Sequence, residues 1–171
     1  MFLSYLVTCH NETDSLEKLL SKLVQNKKDN HEIVLLDDYS DNPKTLEIIQ
    51  TFKDKVNFQQ HKLEKNYGAH KNYGIGLCKG EWVFQLDGDE VPTDALIENI
   101  DAILESNDTN EVIWLPRLNY FIGVTDQDLN MWGWNCNTFK DLIHEKLIDD
   151  TSDEYKFLKN KGLILEEHKI N

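Results

Sequence analysis

An α/β fold built around a mostly parallel sheet is predicted by three features of the sequence. Short apolar runs alternate with amphipathic helical patterns along the first hundred residues. The chain of 171 residues is 40% hydrophobic, enough to bury a core without disulfides or metals. No stretch of about 18 apolar residues offers a membrane span.

The elements follow in order. Phe2 to Thr8 reads as a buried strand. Asp14 and Glu17 then look like an N-cap acid and its capping-box partner, and Leu16, Leu19, Leu20, Leu23 and Val24 recur at helical spacing. Glu32 to Leu36 is the second strand. Asp41 or Asn42 is placed to cap a helix with Pro43 in its first turn and Leu46, Ile49 and Phe52 on one face. A third strand is expected at Val56 to Gln59 and a helix at Ala69 to Cys78, with Gly80 ending the helix before a strand at Trp82 to Leu86. Thr93 then caps a helix carrying Leu96, Ile97, Ile100, Ile103 and Leu104. Glu111 to Leu115 and Leu118 to Ile122 read as further strands, Gly123 to Asn137 as a loop, and Phe139 to Asn160 as one or two short helices. No internal repeat or linker interrupts this pattern, so one domain over 1–171 is expected.

Charge and cysteine usage narrow the partners. A net charge of −13 repels a phosphate backbone at long range, which disfavours nonspecific nucleic-acid binding. Cys9, Cys78 and Cys136 are odd in number and widely spaced, the pattern of reduced thiols. The first residues lack a basic n-region and a small-residue cleavage site, so a cytoplasmic protein is expected. Arg117 is the only arginine, so an anionic ligand must be met by lysines, backbone amides or a metal ion.

In an open parallel sheet, ligands bind beyond the carboxyl ends of the strands. Three predicted strands end there in polar or acidic residues: Thr8-Cys9-His10-Asn11-Glu12, Asp37-Asp38-Tyr39-Ser40-Asp41 and Asp87-Gly88-Asp89-Glu90. Carboxylates packed so closely repel one another unless water or a cation screens them, and Mg²⁺ or Mn²⁺ takes one or two such groups while substrate phosphates complete its shell. A solvated Asp-Gly turn is the bland alternative for the third cluster. For the second, Asp38, Ser40 or Asp41 can instead serve simply as a helix cap. Between them, Asn66-Tyr67-Gly68-Ala69-His70-Lys71-Asn72 combines glycine with donors near a helix N-terminus. Neither a dinucleotide-binding glycine fingerprint nor a Gly-Lys-Ser/Thr phosphate loop occurs.

In order and spacing, these segments with Lys79-Gly80-Glu81 resemble the family 2 glycosyltransferases over roughly the first 95 residues. The resemblance implies the GT-A architecture, a three-layer α/β/α Rossmann-like fold, with residues 1–95 forming the nucleotide-sugar donor half and 96–171 the acceptor half. It implies a metal-dependent, inverting transfer from a nucleotide-diphospho-sugar, most plausibly a UDP-sugar, with Mn²⁺ or Mg²⁺ as cofactor. Asp89 falls where the family holds the metal, and Asp87 near the ribose or metal. Thr8 and Glu12 match the segment lining the nucleotide, Asp37 or Asp38 meets the base, and Lys71 with Asn72 stands where the family usually has Arg-Asn. For the second half the resemblance leaves Asp126, Asp128 and Glu145 as candidates for the base, and His144 as a possible third metal ligand. Trp132, Trp134 and Tyr120 are candidates for stacking on a sugar or acceptor. Glycan, lipid-linked sugar, protein and modified nucleobase all remain open as acceptors. A nucleotidyltransferase, or a GT-A module that binds nucleotide without turnover, are the competing readings.

Overall fold

A computed structural model describes residues 2–106, 111–115 and 131. The chain divides into two compact units, Met1–Trp114 and Leu115–Asn171. Within the first unit the order is β1 (Leu3–Cys9), α1 (Asp14–Asn26), β2 (His31–Asp37), α2 (Pro43–Phe52), β3 (Asn57–Gln60), α3 (Tyr67–Leu77), β4 (Trp82–Asp87) and α4 (Asp94–Glu105). All four strands are parallel, in the spatial order β3-β2-β1-β4. The helix α4 crosses the 95/96 division and packs Ile97, Ile100 and Leu104 into the same core as α1.

Side chains alternate between the faces of a strand, and this period decides what each face meets. Leu3, Tyr5, Val7 and Cys9 of β1, with Ile33 and Leu35 of β2 and Leu86 of β4, join the apolar stripes of α1, α2 and α4 in the main core. The opposite face presents Leu6, Val34 and Leu36, covered by Leu77 and Cys78 at the end of α3 and by Val83. Both faces of β1 are buried along its whole length, which is why its sequence is a continuous apolar run.

Local details depart from the sequence reading at four places. Thr13, not Asp14, is the N-cap of α1 and makes no side-chain cap bond; its ψ of −98° lies outside the extended region that a capping residue adopts. Asp14 is the first helical residue and pairs instead with Lys44 of α2. The helix α3 begins two residues before Ala69, capped by Asn66, and ends at Leu77. Gly80 therefore does not end the helix. It lies against β1, donating its N–H to Ser4 Oγ at 2.8 Å, and a Cβ there would stand 2.5 Å from the Ser4 nitrogen. Finally, Glu111–Leu115 is not a strand: no strand pairs with it among the described residues, and Val112 and Trp114 are exposed.

The remaining caps follow expectation. Asn42 Oδ1 accepts from Lys44 N at 2.9 Å with Pro43 in the first turn, and Thr93 Oγ1 accepts from Leu96 N at 3.2 Å.

At the base of the sheet His31 is buried, its Nε2–H donating to Asp101 Oδ1 at 2.9 Å, while Lys28 also reaches Asp101 at 2.6 Å. Burial lowers the His31 pKa, opposed by the Asp101 charge and hydrogen bond. The unfolded chain thus takes up this proton at higher pH than the folded one, so stability present above the ordinary histidine pKa is lost on acidification. Unfolding free energy, followed by urea denaturation, is expected to fall between about pH 7 and 5, and His31→Gln to flatten part of that slope; an unchanged slope contradicts this. Two glycine substitutions test the packing. Gly80→Ala is expected to cost about 1–3 kcal/mol because backbone atoms must move, whereas Gly76→Ala, open to space within a helix, is expected to gain about 0.4–1 kcal/mol.

Candidate functional site

The site is assembled where the parallel strands end. Thr8 of β1 lies opposite Asp87 of β4 in the ladder, so both point to the face covered by α3. Thr8 Oγ1 donates to Asp87 Oδ1 at 2.9 Å, and Lys71 Nζ, from the second turn of α3, reaches the same oxygen at 2.8 Å. Asp87 and Lys71 are both part-exposed. One carboxylate oxygen thereby holds a hydroxyl and an ammonium at the mouth of the sheet, positions carried by three different elements.

Beyond β4 the chain makes one more ladder contact, Gly88 N to Thr8 O at 2.8 Å, and then turns. Glu90 closes the turn: its carboxylate accepts from Asp87 N at 3.1 Å and its own N–H donates to Asp87 O at 2.8 Å. Gly88 is buried, and a Cβ there would lie 3.1 Å from Glu12 Oε2 and 3.2 Å from Cys9 Cβ. A larger residue would require the Glu12 side chain and Cys9 to give way by a few tenths of an ångström. Asp89 is exposed and makes no hydrogen bond or ion pair among the described residues. Glu12 curls back so that its Oε2 accepts from His10 N at 2.6 Å.

The β2 loop is tied to the β1 loop through Asn11, which adopts a left-handed φ of 68°. Asn11 Oδ1 accepts from the backbone of Asp41 and Asn42, both at 2.9 Å, its Nδ2 donates to Asp41, and its N–H donates to Ser40 Oγ. Neither Asn11 nor Ser40 stands out by composition. The available signal was an asparagine immediately past a strand, a residue that tolerates φ above zero. Tyr39, with φ 49°, is a second non-glycine residue in that region and lies in the facing loop. Such conformations concentrate where a site must be held in place.

The two second-strand acids separate. Asp37 pairs with Cys9 in the ladder and shares its face, which is opposite to that of Thr8 and Asp87. It is fully buried, its carboxylate accepting from Ser40 N and Oγ, from Gln60 Nε2 at 3.0 Å and from the Cys9 thiol at 3.6 Å. Asp37 is a cap for its own loop. Asp38 remains part-exposed, with Oδ1 accepting from Leu63 N at 2.8 Å and Oδ2 3.8 Å from His10 Nδ1. Burial, then the Asp37 charge, pushes the Cys9 thiol far above its ordinary pKa, so it stays protonated and inert.

Asn72 is not brought to Asp87. At 100° per residue it lies on the outer flank of α3, away from the sheet-facing His70 and Gly74 and from Lys71. Asp126, Asp128, His144, Glu145, Arg117, Tyr120, Trp132, Trp134, Cys136, the strand Leu118 to Ile122, the loop Gly123 to Asn137 and the helices between Phe139 and Asn160 lie outside the described residues.

These donors bear on a divalent cation in different ways. Among the described residues no three carboxylate, histidine or cysteine groups converge on one point. Asp87 already has a cation, Lys71. Asp89 presents an uncommitted hard oxygen ligand and fits Mg²⁺ or Mn²⁺ in a shell completed by ligand phosphates and water.

Comparison with known proteins adds to this geometry. Poly(ribitol-phosphate) β-N-acetylglucosaminyltransferase TarP of Staphylococcus aureus strain N315 is 29% identical over 116 residues, covering 64% of this chain and 35% of its own length. Poly-β-1,6-N-acetyl-D-glucosamine synthase of Staphylococcus epidermidis is 36% identical over 95 residues, covering 54% of this chain and 23% of its own length. This chain thus spans well under half of the curated relatives it matches. The crystal structure of S. aureus TarS 1-349 in complex with UDP-GlcNAc superposes with a TM-score of 0.53 at 25% identity, covering 63% of this chain and 32% of that one. The description "Glycosyl transferase family 2" fits residues 4–158, more than half of the sequence and the whole of the strand-end constellation, and the chain belongs to that family.

Proposed function

We propose that this chain binds a UDP-sugar at the strand ends of β1, β2 and β4 and transfers the sugar, with inversion, to an acceptor hydroxyl. The observation that carries the reading is the Thr8–Asp87–Lys71 constellation with an uncommitted Asp89 two residues further on. Its relatives support the donor class: the TarS structure holds UDP-GlcNAc, and TarP and the Staphylococcus synthase are named for N-acetylglucosamine transfer or polymerisation. UDP-GlcNAc is the donor we assign.

Each residue has a distinct task. Asp38, part-exposed at the end of β2, is the acceptor for an N–H of the base or a ribose hydroxyl, since Asp37 is sealed inside its own loop. Thr8 in β1 and Glu12 in the loop after it are assigned to the nucleotide side of the same crevice. Asp87 holds Lys71 at the mouth of the sheet, where its ammonium meets the diphosphate as a charge-assisted donor. Asp89 would hold the Mn²⁺ or Mg²⁺, which when bound stabilises negative charge growing on the leaving diphosphate. Asp126, Asp128 and Glu145 are the proposed sources of the base, which must come within about 3 Å of the acceptor hydroxyl, and His144 is proposed as a further metal ligand.

Two outcomes are expected. In thermal denaturation, UDP should raise the midpoint strongly only with Mn²⁺ present, because ligand binding to the folded state alone stabilises it, and Asp89→Ala should abolish the Mn²⁺-dependent part; an equal shift in that variant removes the metal assignment. Lys71→Ala should weaken UDP binding by about 1–3 kcal/mol, with Lys71→Arg recovering most of it; calorimetry showing Lys71→Ala equal to the parent contradicts the diphosphate role.

A further inference from the structure

On the side of α3 away from Lys71, an open groove of about 660 Å³ runs between that helix and the loop joining β3 to α3. Its floor is aromatic. The Tyr73 ring stacks on His61, centroids 4.0 Å apart and planes 18° from parallel, while 42% of Tyr73 remains exposed. His61 is held in turn by a ring-nitrogen hydrogen bond to His70, 3.2 Å long, and His70 is buried beneath α3. The His61 backbone N–H donates to Asp37 O at 3.0 Å. The platform is therefore anchored once to β2 and once to α3.

The walls are polar but without net charge. Lys62 and Glu64 on the loop offset each other, and Asn72 presents an amide with no partner among the described residues. Successive residues Glu64 and Lys65 adopt left-handed φ of 50° and 61°, a costly conformation for side-chain-bearing residues, and Leu63 N fastens the loop to Asp38. The loop shape is set by these contacts before any ligand arrives.

A flat aromatic surface beside an amide, with balanced charges, matches the apolar ring face and hydroxyl rim of a pyranose. An anion would meet Glu64 and a cation Lys62. We propose that this groove is a binding site for a neutral saccharide, stacked against Tyr73 and hydrogen-bonded to Asn72. It lies on the flank of α3 away from Lys71 and Asp87 and borders the base-binding side of the donor crevice through Leu63, whose N–H is held by Asp38. That the saccharide is a portion of the acceptor rests on the glycosyltransferase reading; the binding itself does not.

Titration of the ¹⁵N-labelled full chain with maltotriose and with chitotriose, two neutral trisaccharides, tests this directly. Saturable amide shifts are expected at Leu63, Asn72 and Tyr73 with at least one of them. Tyr73→Ala should weaken binding about fivefold or more, Tyr73→Phe should retain it, and Asn72→Ala, an exposed change that leaves the aromatic floor intact, should also weaken it. No saturable shift with either sugar, shifts confined to Thr8, Lys71 and Asp87, or unchanged affinity in both Tyr73→Ala and Asn72→Ala would overturn the proposal. Binding of UDP to the parent protein, measured in the same buffer, judges the donor reading separately: sugar binding without UDP binding leaves the groove standing and removes the donor site.

Discussion

The site depends on the in-register parallel pairing of β1 with β4. Because side chains alternate along a strand, this register puts Thr8 and Asp87 side by side on the face that α3 covers, and a slip of β4 by one residue would turn Asp87 toward the main core and away from Thr8. Everything distinctive follows from that placement. A carboxylate at the rim of an apolar sheet needs compensation, and the Lys71 ammonium at 2.8 Å supplies it from the only helix described on that side. The same ladder then carries the chain one residue further through Gly88 and releases Asp89 into solvent.

The two neighbouring acids of the DGD turn consequently differ in chemistry although they differ little in sequence context. Asp87 is neutralised by protein and works as a holder of Lys71. Asp89 is available to an external cation. The pair Asp37 and Asp38 is divided by the same rule, since adjacent strand positions face opposite sides of the sheet: one carboxylate is consumed by Ser40, Gln60 and Cys9, the other stays at the surface. Asn11 fastens the β1 and β2 loops together with four hydrogen bonds, and His10 adds a contact to Asp38 O, so these loops are joined by polar contacts.

Much of this was legible in the sequence. The continuous apolar runs of Leu3–Cys9 and His31–Asp37 announced buried parallel strands, the stripes of α1, α2 and α4 announced their packing, and the polar and acidic clusters at the strand ends marked the region of Thr8, Asp87 and Asp89, whose individual roles came only from the family resemblance. What was not legible depends on side-chain direction or long-range contact. Alternation along the strand separates Asp37 from Asp38, and the 100° helical step separates Lys71 from Asn72, but which member of each pair faces the site is decided by packing that the sequence does not display. Gly80 read as a helix stop because that is what glycine after a helix most often does; its actual constraint is the backbone of β1, 76 residues earlier. The capping box at Asp14 failed for a related reason: Lys44, 30 residues away, takes the carboxylate. The strand expected at Glu111–Leu115 had the right composition, but pairing, not composition, makes a strand.

A crystal structure of the protein soaked with UDP and Mn²⁺ bears most directly on the division of labour between Asp87 and Asp89. The metal should lie between Asp89 and the diphosphate, with Lys71 still against Asp87 and facing a phosphate oxygen. A metal chelated by Asp87 with Lys71 driven away, or a diphosphate bound with no metal and no contact to Asp89, would contradict the account.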